Sequence, residues 1–311
     1  MLICIKNKMT SYFNPIVVRR EGYDNPYVRR KRKPFNDQRL YATWSLMKDR
    51  LLEEQSVAIQ QISRDDSEAT RFYRFLSNDR ITLAELIKMN CTVKSESLIG
   101  RHVLVLGDST SLNLSKRLGR IKDPEQLGVL QDGKTPGFFA HVSLAVDAQR
   151  SAILGLADVL YWARPKVGKP PSKTNASLQD KESYRWHLGA KHAQAAMAVA
   201  QQLTFIFDRG ADSFELLEYL VRDLKTDFII RSNHDRKVKW QNQELLLSQC
   251  LEQSPRLDTY QIDLPELDHY SWTWGKRIRR QARTATIELR SQQVELLVPE
   301  KLKLPNPFVC T

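Results

Sequence analysis

Residues 103–112 read VLVLGDSTSL: four aliphatic residues run into a glycine, an acid and three hydroxyls. A short apolar run with branched Val103 and Val105, closed by Gly107, predicts a buried central strand that ends at Asp108. Strand ends are where sites gather in α/β sheets. The plainer reading makes Asp108 a turn cap, because Asp followed by Ser and Thr often bonds its own backbone. A second stretch of the same kind, LTFIFDRG at 203–210, carries another apolar strand into Asp208.

The elements around these two strands set the fold class. GFFAHVSLAVDA (137–148) and SAILGLADVLYWARP (151–165), joined by a short polar turn, predict an antiparallel hairpin. A loop with Pro165, Pro170 and Pro171 then leads to an alanine-rich helix over about 180–202, with Trp186 and Met197 as core contacts. In its first turn Glu182 reads as an acid favoured by the helix dipole. After the Asp208 strand, DSFELLEYLVRDL (212–224) predicts a helix capped by Asp212, with Glu215 completing a capping box, and DFIIRS closes at Arg231. Three strands, helix, strand, helix, strand is the order of a ribonuclease H-like α/β fold. In that fold the first and fourth strands lie side by side, so Asp108 and Asp208 are expected to meet. Adjacent carboxylates repel, and divalent cations are the usual remedy.

Outward from this core the chain divides into a basic arm (1–40), a helical domain (41–98), the α/β core (99–231) and a β-rich segment (232–311). Leu40, Trp44, Met47, Leu51 and Leu52 recur at helical spacing, and Asn78 and Asp79 are placed to cap ITLAELIK. RFYRFLSND (71–79) is expected to pack Phe72, Tyr73, Phe75 and Leu76 together. TATIELR and QVELLV near the C-terminus have the alternation of strands.

Composition excludes several classes. A chain of 311 residues with 41% hydrophobic content is long and apolar enough to fold. Its apolar stretches are too short for a membrane helix, and MLICIKNKM lacks a signal-peptide core, so a cytoplasmic, non-membrane protein is expected. Cys4, Cys91, Cys250 and Cys310 form no CxxC pair, which argues against a disulfide framework or zinc site. The formal charge of +12 points to a polyanionic partner. Cations concentrate in RRKRK (29–33), beside Tyr27 and Phe35, and in GKRIRRQAR (275–283), after Trp272 and Trp274. Within the second run Lys276, Arg277, Arg279, Arg280 and Arg283 have no acid among them. A solvated face is the bland alternative, but two runs with aromatics favour nucleic acid, whose bases stack on such rings.

GDSTSL, PGFFAHVSLAVD, GLADVLYWARP, DKESYRW, FDRGADSFELL and FIIRSNHDRKV, in this order and spacing, resemble the DDE transposases of bacterial insertion sequences, the group typified by transposon five. The resemblance runs from about Tyr41 to the C-terminus. It implies that Asp108 and Asp208 are the first two metal-binding acids, that Mg²⁺ or Mn²⁺ is the cofactor, and that Arg231 holds DNA near the cut. It further implies that the helical domain and basic runs bind double-stranded transposon ends, and that the intact family works as a dimer on DNA. Much of that dimer contact lies C-terminal to the segment present, so this chain alone is expected to be a monomer. Two departures stand out: Asn233 where the group often has lysine, and DRGAD for the commoner DREAD, with Gly210 in place of glutamate. The family's third acid is a glutamate in Tyr-x-x-Arg-x-x-x-Glu, after a β-rich insertion, and no such pattern occurs in the chain. Glu288 and Glu295 read as solvent-facing strand positions. The expected function is therefore a transposase that cuts and joins DNA in its full-length form. The alternative is a shortened, non-catalytic DNA-binding or inhibitory derivative, and a stand-alone nuclease of the same fold is a third reading.

Overall fold

A computed structural model of the chain describes all residues except 1, 6–34, 36, 92, 94, 122–123, 125–126, 167–177, 179–180, 272–275, 300–307 and 311. The run at 29–33, Tyr27, Trp272 and Trp274 therefore lie outside the described residues. The protein is mixed α/β, with a sheet of parallel and antiparallel strands. It divides into two compact units: one within residues 9–206, the other from Phe207 onward together with the N-terminal strand β1 (Leu2–Ile5).

The first unit begins with four helices, α1 (Gln38–Glu53), α2 (Ile59–Ile62), α3 (Asp66–Leu76) and α4 (Leu83–Asn90). Their starts are fixed locally: Asp37 and Asp65 accept backbone N–H bonds at the first turns of α1 and α3. At α4 the cap is Thr82, in a reciprocal capping box with Glu85, and not Asn78 or Asp79. Phe35, Trp44, Met47, Ile62, Phe72 and Phe75 form the core of this helical part. Tyr73 and Leu76, expected to join it, are each 47% exposed. The helical period turns Tyr73 away from the side that buries Phe72 and Phe75, whereas Leu76, four residues after Phe72, is on that side but is the last residue of α3.

Three antiparallel strands follow, β2 (His102–Asn113), β3 (Gly137–Asp147) and β4 (Ile153–Trp162), then α5 (Tyr184–Ala196) and β5 (Gln202–Phe207). The strand order is β5-β2-β3-β4. Strand β2 does not stop at Asp108: its ladder with β3 runs unbroken from Val103↔Asp147 to Asn113↔Gly137. The apolar run marks only its buried half, because the far half keeps the backbone pairing while its side chains meet solvent. Helix α5 is shorter than expected at both ends. Met197 is buried in the turn that feeds β5, and that reversal ends the helix at Ala196.

In the second unit a 3₁₀ turn (Arg209–Ala211) leads to α6 (Phe214–Glu218), prolonged by a π turn (Tyr219–Asp223), and to β6 (Asp227–Arg231), which pairs antiparallel with β1. The α6 cap is Ser213, whose hydroxyl accepts the Leu216 N–H. Asp212, expected in that role, is engaged elsewhere. Residues 232–311 are β-rich. They hold β7 (Lys237–Trp240), β8 (Gln243–Leu246), α7 (Leu247–Gln253), β9 (Arg256–Leu264), β10 (Leu267–Ser271), β11 (Lys276–Arg280), β12 (Arg283–Arg290), β13 (Val294–Leu296) and β14 (Phe308–Cys310). They assemble as β14-β13-β7-β8, a β9/β12 ladder and a β10/β11 hairpin. Among the described residues no helix is long and apolar enough to cross a membrane.

Candidate functional site

Asp108 lies in the middle of β2, opposite Val142 of β3, and is exposed. One carboxylate oxygen accepts the N–H of Ser109 at 2.7 Å, so it caps no turn. Strand alternation sends the next side chain, Ser109, to the other face, where a polar cluster is built. There the Ser109 hydroxyl lies 2.9 Å from His141 Nδ1, and Arg185 Nε donates to the same oxygen at 2.9 Å. The guanidinium can only donate, so the Ser109 hydroxyl accepts from Arg185 and keeps its own hydrogen and a second lone pair for the contact with His141 Nδ1.

His141 is 1% exposed and edge-on to Trp186 at 4.5 Å between ring centres. Burial, and then the neighbouring Arg185 cation, lower its pKa to about 4. The ring is therefore neutral near pH 7. Arg185 also donates to the Glu182 carbonyl at 2.7 Å and covers the rings of Trp162 and Trp186. Glu182, expected in the first turn of the helix, lies ahead of α5, whose first turn has no acid, and its carboxylate instead holds Arg164 through two bonds of 2.5 and 2.7 Å. A Cβ added at Gly189 of α5 would sit 2.9 Å from His141 Nε2, which shows how closely this helix approaches the strand. The signal for the cluster was present in the sequence: every second residue of β3 is buried, and that inward row includes His141, Ser143 and Asp147 among Phe139 and Ala145.

Asp208 is the residue that follows β5, the strand beside β2. It is exposed and caps the Arg209–Ala211 turn, accepting the Gly210 N–H at 2.8 Å. Arg231 is the exposed last residue of β6, paired in register with Leu2. Asp212, whose side chain is fully buried, serves the loop that follows Arg231.

The basic run at 276–283 forms β11 and the start of β12. Lys276 opens β11 opposite Ser271, and exposed Arg283 opens β12 opposite Leu264. The run is not without a counter-charge. Asp268 of β10 lies opposite Arg279, accepts from Arg277 at 2.6 and 2.9 Å, and stands 3.6 Å from Arg279. Arg280 donates to the Pro265 carbonyl. The acid arrives from the facing strand, which a local reading of charges does not see.

Among the described residues no group of three or more His, Cys, Asp or Glu gathers in a way that could hold a metal ion. Glu288, exposed on β12, pairs with Arg290 at 2.8 Å and with Arg256 at 3.7 Å, and the Arg290 contacts hold its carboxyl below the usual range. Glu295 is half-buried on β13, opposite Lys239 of β7 and Val309 of β14. In the helical part a polar groove of about 830 Å³ is lined by Arg39, Ser67, Thr70, Arg71 and Arg74 among others. Arg71 is steadied there by a 2.9 Å bond from Nε to the Thr43 hydroxyl. No model of a known protein family matches the chain, and no curated protein matches it.

Proposed function

We propose that this protein is a DDE-type transposase chain with a ribonuclease H-like core, one that binds the ends of a DNA element and uses Asp108 and Asp208 as ligands for Mg²⁺ or Mn²⁺. The observation that carries the reading is strand order: β2, which bears Asp108, and β5, which leads into Asp208, are neighbours. Both acids are exposed and offer hard oxygen donors, and one oxygen of each accepts a local backbone N–H. Such a pair suits Mg²⁺, which is commonly held by one or two carboxylates and keeps several waters. Asp108 and Asp208 would hold the ion, and the chemistry it would supply there is activation of a water or 3′ hydroxyl and stabilisation of charge on a leaving phosphodiester oxygen.

The chain's own residues supply the rest. Exposed Arg231, Arg279 and Arg283, with Lys276, Arg277 and Arg280, offer phosphate contacts that position a duplex. The groove of the helical part, with Arg39, Arg71 and Arg74 beside hydroxyl side chains, supplies the mixture that reads base edges. A second reading, a DNA-binding chain without cleavage, is favoured by the absence, among the described residues, of any group of three or more His, Cys, Asp or Glu that could hold a metal ion.

The test starts with duplexes selected from a random-sequence pool by the purified chain, then placed in a supercoiled plasmid. Expected are selection of a defined sequence, salt-sensitive binding, and no nicking in Mg²⁺ or Mn²⁺. Nicking that Asp108→Ala and Asp208→Ala both abolish would remove the second reading and send the search for the third ligand to Glu288 or Glu295. Absence of any salt-dependent duplex binding would refute the proposal as a whole.

A further inference from the structure

The loop after β6, residues 232–236, leaves Asn233, His234 and Asp235 exposed, yet its backbone is tied down from one point. The Asp212 carboxylate accepts the N–H of Asn233 at 2.6 Å and of His234 at 3.0 Å on Oδ2. On Oδ1 it accepts Arg236 Nη2 at 2.5 Å, and the same nitrogen donates to the Asp212 carbonyl at 3.1 Å. The two side chains are 0% and 10% exposed. Across the loop the Ser232 hydroxyl donates to the His234 carbonyl at 2.7 Å. A buried carboxylate is costly unless it is paired and fully hydrogen-bonded, and this one is both.

We propose that Asp212 is a positioning residue for polyanion binding: it fixes the loop so that Arg231, Asn233 and His234 form one phosphate-contacting edge. The inference rests on the DNA-binding reading above. Asn233 brings no charge, so its contact with a phosphate depends on geometry rather than on Coulomb attraction. Two consecutive amides anchored to one carboxylate hold that geometry before DNA arrives, which removes an ordering cost from binding. The residue type follows from the same contacts. An ionised carboxylate accepts on both oxygens, whereas an amide must turn a donor either toward the two N–H groups or toward Arg236. The turn that contains Asp212 begins at Asp208, so one short segment serves both the acid and the loop.

The experiment compares wild type, Asp212→Asn, Arg231→Ala and the double variant on one duplex, with the dissociation constant measured across salt and amide exchange followed at Asn233 and His234. Expected for Asp212→Asn are faster exchange at both amides and binding weaker by about tenfold, as for one lost phosphate hydrogen bond, with a log–log salt slope changed by less than the roughly 0.9 of one lost cation–phosphate contact, since Asn233 is uncharged. In the Arg231→Ala background the second change should add little, because both act through one contact edge. Should Asp212→Asn fail to fold, Asn233→Pro removes one anchored N–H while sparing the buried ion pair. Set against Asn233→Ala, it should show a further loss of affinity. Wild-type affinity in Asp212→Asn, an Asn233→Pro affinity equal to that of Asn233→Ala, or losses that add fully in the double variant, would overturn the inference while the DNA reading stands. No duplex binding by the wild type would refute that reading and the inference with it.

Discussion

Acidification should weaken the α/β core through one residue, His141. Its ordinary pKa of 6.5 falls to about 4 in the folded protein, because burial and then Arg185 disfavour the charged ring. A depressed histidine stays neutral in the native state while the unfolded chain takes up a proton. Its contribution is therefore intact above pH 6.5, declines as pH falls toward 4, and is fully lost below that. A shift from 6.5 to about 4 corresponds to about 3 kcal/mol in total, of which about 2 kcal/mol is gone at pH 5. Other charges do not remove the effect. Asp108 and Asp158 act on the ring in the opposite sense, but they rank below burial and Arg185.

The perturbation is His141→Asn, whose amide takes the place of Nδ1 as hydrogen-bond partner of Ser109 and which does not titrate. Loss of the ring against Trp186 should cost the variant about 1–3 kcal/mol at pH 7. Urea unfolding of both proteins at pH 7, 6 and 5 gives the difference at each pH. That difference should narrow by about 2 kcal/mol between pH 7 and pH 5. The carboxylate of Asp147, held low first by the Arg150 N–H and then by Arg101, gives up its stabilisation only in more acidic solution and in both proteins alike. Parallel stability curves would refute the assignment of a neutral, buried His141.

Mg²⁺ or Mn²⁺ at ten times its dissociation constant should stabilise the fold by about 1.4 kcal/mol, because an ion that binds only the native state acts by mass action. Asp108→Asn should raise metal-free stability and abolish the response, and equal protection of both proteins in thermal melts would remove Asp108 from the ligand set. Neutralising Arg277, Arg279 and Arg280 together should weaken binding to all duplexes alike. Each lost phosphate contact reduces the log–log salt slope by about 0.9. Since Asp268 already holds Arg277, the triple variant should lose less than three contacts' worth. An unchanged slope would make β11 a solvated face.

Much of this molecule was written locally. The apolar run at 103–106, the alternation through β3 and the Ser213 and Thr82 starts of α6 and α4 each depend on neighbours in the chain, so strand and helix positions were legible even where a cap was assigned one or four residues away. The two candidate acids were picked out for the same reason, each following an apolar run, but the run before Asp108 is only the first half of β2. Partners were not. Ser109 meets His141 from 32 residues away and Arg185 from 76 away, Asp212 reaches amides 21 and 22 residues on, and Asp268 faces Arg279 only because β10 and β11 pair in one register. Hydrophobic periodicity decides which face of an element is buried. It leaves undecided which buried polar group faces which, because strand order and register, set only when the whole sheet forms, bring those groups together.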